Sequence, residues 1–179
     1  TPAWWSLAHK KACEREHKKW MKQLDKILIR KPIVYPFKIE PPEITEEHIA
    51  LLREWASVRA SVWDSVRASV WASVGASVWD SVWASVGDSV WASVWDSVRA
   101  SVGDSVWASV RASVGAYTGT FFLLERSAWK YTEEIDCEGY PFQSVSTLWE
   151  MGLVPSFDGK KWRLHGAPNG KILWEGDLK

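Results

Sequence analysis

Cysteine is scarce in this chain of 179 residues, and the two present, Cys13 and Cys137, lie far apart. That excludes a disulfide framework and any paired metal-ligand spacing, and makes a reducing, cytoplasmic setting the expectation. Long hydrophobic runs are missing too. No stretch of about 18 apolar residues exists, and no signal-type apolar segment precedes a small-residue cleavage site. Neither a membrane span nor secretion is expected. The chain opens on Thr1 rather than Met, so its N-terminus is expected to be trimmed or missing. Charge of one sign is also lacking, with 22 Lys/Arg against 22 Asp/Glu. Overall charge therefore gives no support to a nucleic-acid or membrane partner. Phosphate-binding glycine motifs, metal-protease motifs and Gly-x-Ser-x-Gly are absent. The histidines, His9, His17, His48 and His165, are scattered. His9 and His17 would sit two helical turns apart, too distant to share a metal.

What the chain has in abundance is one phrase. From Ala56 to Gly119 a four-residue unit recurs sixteen times: Ala or Asp, Ser, Val, then Trp, Arg or Gly. Only its last copy, 116–119, departs from Ser-Val at the centre. On an α-helix each four-residue step advances about 400°, displacing successive valines by about 40°. A valine stripe would circle the helix every nine repeats, and Val, Ser and interior Gly all weaken helix propensity.

A β-solenoid fits the pattern better. On a strand, Ser and Val point to opposite faces. Val then faces inward, the Trp/Arg/Gly position outward, and Ala or Asp occupies the corner. A side of four residues is at most about 13 Å long, which suits a square coil better than a triangle when facing sheets need about 10 Å. A 16-residue offset aligns Asp64, Asp80 and Asp96, although stacked like charges repel. A 12-residue offset instead stacks Trp71, Trp83, Trp95 and Trp107. The expected fold is mainly β: a four-sided β-solenoid (β-helix) of tetrapeptide tandem repeats, with a three-sided solenoid or a helical repeat as alternatives.

Ala68, Ser69, Val70 and Trp71 resemble the phrase of pentapeptide-repeat proteins shortened by one residue, with Val70 in place of the central Leu. The resemblance covers residues 56–119 only and implies a right-handed, four-sided coil. The four-residue sides, Val for Leu and Asp at the small-residue position depart from that family. Some of its members imitate DNA through acidic surfaces. Four arginines (Arg59, Arg67, Arg99, Arg111) against five aspartates give little reason to transfer that role here. The whole chain also resembles repeat proteins of unassigned function.

Three domains are expected. Residues 1–55 form a helical N-terminal cap: a helix over 4–30, a proline-rich linker over 32–42, and a second helix capped by Thr45 with Glu46 and Glu47 in its first turn. Nine of the Lys/Arg and only three acids fall in 1–31, a candidate basic patch whose plainer and preferred reading is a solvated helix face docked near acidic residues of its own chain. Residues 56–119 are the solenoid. Residues 120–179 are a small α+β C-terminal cap, in which 117–124 closes the last coil, a short helix spans 142–151, and three strands form a meander across Asp-Gly and Asn-Gly turns.

The outward tryptophans, Trp63, Trp71, Trp79, Trp83, Trp91, Trp95 and Trp107, are the candidate platform for a ligand or for self-association. A duplicating DNA unit drifting at single bases would produce the same Trp/Arg/Gly variation without selection for binding. The repeated serines have no histidine in the array to activate them, and Cys137 sits between Asp136 and Glu138, which disfavour a thiolate. Glu133, Glu134, Asp136 and Glu138 read as a solvated acidic loop. The expected function is a non-enzymatic structural scaffold acting through protein binding, with this chain itself or another protein as partner. The alternative is a binding module for carbohydrate or nucleic acid. A catalytic site around Cys137 and His165 ranks last. No cofactor or metal is expected.

Overall fold

The computed structural model describes residues 6–28, 31–74 and 104–178. Helix α1 (Leu7–Leu28) is long and carries its cations between apolar residues at helical spacing. The proline-rich segment follows, with one short 3-10 turn at Pro36–Lys38. It lies against the C-terminal third rather than in solvent, since Pro36 is buried and Lys31 pairs with Glu150. Thr45 then starts α2 (Glu46–Val58), with its N–H donated to His48 Nδ1 at 3.0 Å in a capping-box arrangement.

The array is where expectation and structure part. A 3-10 turn at Arg59–Ser61 leads into α3 (Val62–Val74), and the array ends in α4 (Asp104–Gly119). No strand occurs among the described residues of 56–119. The mainly β fold class, the β-solenoid or β-helix in four- or three-sided form, and the pentapeptide-repeat resemblance are all overturned. The described residues are mostly helical with one small sheet, an α+β fold.

Short helices defeat the drift argument. Across Val62, Val66 and Val70 the accumulated displacement is only about 80°, inside the arc of roughly 100° that a buried helix face covers. All three are buried, as are Ser65 and Ser69 between them. Positions 62, 65, 66, 69 and 70 thus reproduce the i, i+3, i+4, i+7, i+8 pattern of a core-facing helix. In α4, Ser109, Val110, Ser113, Val114 and Tyr117 do the same. At Ser65 and Ser113 the buried hydroxyl finds a backbone partner, whereas Ser109 Oγ has none among the described residues. Ser65 Oγ donates to the Lys130 carbonyl, and Ser113 Oγ lies 3.1 Å from the Ser109 carbonyl and 3.4 Å from that of Pro155.

Residues 117–124 do not close a coil. They finish α4 and turn through a 3-10 segment, Thr120–Phe122, which ends at Leu123 in the left-handed region. Helix α5 (Gln143–Glu150) follows and stops at Gly152, whose φ of +80° suits glycine. A Cβ there would lie 3.1 Å from the Pro36 carbonyl. Strands β1 (Val154–Phe157), β2 (Trp162–Gly166) and β3 (Lys171–Gly176) form an antiparallel meander in the order β1-β2-β3, with a register shift between Leu164 and His165. One cluster of buried side chains runs from Leu52 and Trp55 of α2, through Val66 and Val114, to Trp149 and Leu164. Among the described residues, no helix is long and apolar enough to cross a membrane.

Candidate binding surface

The tryptophans of the array have separate fates. Trp63 lies over α4, its ring 4.2 Å from the Arg111 guanidinium and within contact distance of a Cβ built on Gly115. Trp71, two turns further along α3, is 46% exposed. Trp107 falls within α4. Trp79, Trp83, Trp91 and Trp95 lie outside the described residues. Arginine at the same repeat position is used for packing as well: Arg59 covers the rings of Phe157 and Trp162 at 4.6 and 5.1 Å. Burial lowers the Arg59 pKa from its ordinary value.

Trp71 shares a hollow of about 570 Å³ with Ser61, Asp64, Arg67, Ala68 and Tyr131. Tyr131 also lines a larger groove, about 940 Å³, between α2 and the loop that leads to α5. Among the described residues, the acids Glu54, Glu133, Glu134, Asp136 and Glu138 line this groove, and no Lys or Arg does. Among the described residues, none of these five carboxylates is in an ion pair. The acidic loop is therefore one wall of a concavity, with Glu54 of α2 across from it.

That loop is held by backbone contacts that sequence reasoning missed. Lys130 is fixed at both of its backbone polar groups, its N–H donating to Ser69 Oγ at 2.7 Å and its carbonyl accepting from Ser65. Arg126 donates to the Thr132 and Ile135 carbonyls at 2.7 and 3.1 Å. Between these anchors Tyr131 sits at φ +57°, with its side chain 62% exposed. An aromatic residue in the left-handed region stores about 1–3 kcal/mol of strain that its surroundings must over-determine. Here two pinned neighbours do so, and the ring is held out toward solvent. Nothing in the sequence around Tyr131 signals this, because Ser65 and Ser69 look like every other serine of the repeat.

The residues considered for catalysis are not brought together. Cys137 lines the acidic groove and is half-buried, whereas His165 is fully buried within the sheet. His165 Nε2 lies 2.7 Å from Ser156 Oγ, and its Nδ1 lies 2.9 Å from the Gly170 carbonyl. The carbonyl can only accept, so Nδ1 carries the proton and Nε2 accepts from the serine. This has the composition of a Ser-His pair, yet both side chains have 0% exposure, and it works as a cross-strand pin. Burial lowers the His165 pKa. His48 is committed to the α2 cap. Among the described residues, no group of three or more His, Cys, Asp or Glu is placed to hold a metal ion.

No protein-family model matches the chain, and comparison with curated proteins and with solved structures finds no match.

Proposed function

We propose that this protein is a non-enzymatic interaction module whose partner is a protein segment carrying positive charge and at least one aromatic or large apolar side chain. The observation that carries this reading is that Trp71 and Tyr131 line one hollow and that Tyr131 also lines the neighbouring acidic groove. Exposed aromatic anchors beside a charged concavity are the usual composition of a recognition patch: the rings supply desolvated contact area, and the charge sets the partner and the encounter rate. The strained, doubly anchored Tyr131 supports the same reading. Five carboxylates gathered at one surface repel a phosphate backbone, which favours a polypeptide over a nucleic acid there. The reading places the protein in the cytoplasm, a setting that keeps Cys13 and Cys137 as the free thiols they are in the structure.

The test is fluorescence anisotropy of a labelled Lys- and Trp-containing peptide titrated with the full chain. An acidic peptide, a single-stranded oligonucleotide and a glycan panel serve as competitors. Binding of the basic peptide alone, weakened at least about tenfold (1.4 kcal/mol,) by Trp71→Ala with Tyr131→Ala, is the expected result. Equal binding by that double variant, or preference for the oligonucleotide or glycans, would overturn the proposal.

A further inference from the structure

The same chain carries the counterpart of its acidic groove. In α1 every side chain from Leu7 to Trp20 except Ala12 is exposed, as is Lys22, and the large apolar side chains Leu7 and Trp20 are 67% and 52% exposed. Helical geometry gathers the cations. At 100° per residue, Lys11, Arg15, Lys18 and Lys22 fall within an arc of about 60° and span about 16 Å along the axis. Trp20 lies on the opposite side of that wheel. Of these cations, Arg15, Lys18 and Lys22 line one shallow surface together with Lys19. Lys10 and Lys19 pair within the helix, with Glu14 and Glu16 at 3.9 and 3.7 Å. Among the described residues, Lys11, Arg15, Lys18 and Lys22 have no carboxylate partner.

We infer that α1 of one copy docks in the acidic groove of a second copy. This deepens the reading above by naming the partner, and it rests on that reading. The two surfaces are complementary in charge. Among the described residues, one chain presents four cations without a carboxylate partner in a single helical stripe and five carboxylates outside any ion pair in a single concavity, with formal charge balanced at 22 against 22. A basic helix seated there meets Glu54 on one wall and Glu133, Glu134, Asp136 and Glu138 on the other. Trp20, on the opposite side of the helix from the stripe, points away from the groove in this arrangement. Exchange between two copies is reciprocal, since each gives a helix and receives one, so the contact is formed twice and closes as a two-fold dimer.

Sedimentation velocity on the full chain tests the inference. A dimer is expected at low salt. It should dissociate near 1 M salt, where screening acts within about 3 Å. Lys18→Glu with Lys22→Glu, and separately Glu133→Lys with Glu134→Lys, should each give a monomer with unchanged circular dichroism, because all four positions are exposed. Mixing the two variants should restore a dimer, now mixed, because each reversed helix meets a reversed groove and each native helix a native groove. A wild-type monomer at every concentration, dimers that ignore the reversals, or failure of the mixture to reassociate overturns the inference. If the wild type stays monomeric but still binds the basic peptide, self-association fails while the broader reading stands. Loss of both removes both.

Discussion

Ser69 accepts the Lys130 backbone N–H through its side-chain oxygen at 2.7 Å, joining the repeat array to the loop that carries Tyr131. Sixty-one residues separate the two in sequence. The bond explains why a serine recurring in every unit is used differently from one unit to the next. Ser57, the first in the array, is exposed and donates to the Glu54 carbonyl of its own helix. Ser69 is buried and bonds across the fold.

Ser69→Ala should therefore cost about 1–3 kcal/mol, since it strands a backbone donor, while Ser57→Ala should stay within about 0.5 kcal/mol. Urea denaturation of both variants checks this, and equal costs would contradict the distinction between the two serines.

The Trp/Arg/Gly position makes a second test. Gly115 faces Trp63 across the α3–α4 contact, with 3.5 Å between a built Cβ and Trp63 Cε3. That is ordinary contact for one methyl and no room for more. Gly115→Ala should stabilise by about 0.5–1 kcal/mol through helix propensity. Gly115→Trp, which merely installs another residue the repeat uses, should destabilise by about 1–3 kcal/mol through overpacking. If Gly115→Trp is neutral, the residues at this position are interchangeable and the variation is drift.

Tyr117 binds the proline-rich segment to the core. Its hydroxyl accepts the Val34 N–H at 2.7 Å while its ring stacks on Trp149 and meets Phe121 edge-on, both at 5.0 Å between centroids. Tyr117→Phe keeps the ring contacts and should cost about 1–2 kcal/mol. Burial pushes the Tyr117 pKa up to about 12 from 10.0. The unfolded chain thus ionises first, and stability should fall as pH rises from 10 toward 12. Alkaline denaturation should lose that component in the Phe variant.

How much of this was legible in the sequence depends on where the physics is local. The Thr45 cap, the Gly152 stop and the turns of the meander are written in residues a few positions apart, and each is found close to where its motif lies. The array is different. Its period of four is compatible with a strand-and-corner coil and with a short helix face, and propensity favoured the wrong one. What decides is tertiary: the Lys130 and Pro155 backbones that satisfy Ser65, Ser69 and Ser113, and the aromatic core that covers Val66 and Val114. None of these partners is near in sequence. The acidic loop is legible from composition alone, but its concavity depends on Glu54, nearly eighty residues away, and on the pinning of Tyr131.

The sheet supplies a pH test. His165 is neutral, buried and hydrogen-bonded at both ring nitrogens, and burial holds its pKa below 6.5. The unfolded chain binds a proton near pH 6.5 while the folded chain does not. Stability should accordingly be full above that value and decline as pH falls from 6.5 toward the folded pKa. Asp158 and Glu175 act in the same direction at lower pH. Backbone N–H groups of Lys161 and Lys160 lower the first, and the Arg163 and Lys161 side chains lower the second. Ser156→Ala should lower stability by about 1–3 kcal/mol at pH 8, because it removes the donor to Nε2. It should leave the decline below pH 6.5 in place, since burial rather than the serine is its main cause. His165→Gln should abolish that decline. Thermal denaturation of the three proteins between pH 5 and 8 reads all of this, and a wild-type profile that is flat through pH 6 would contradict the buried neutral imidazole.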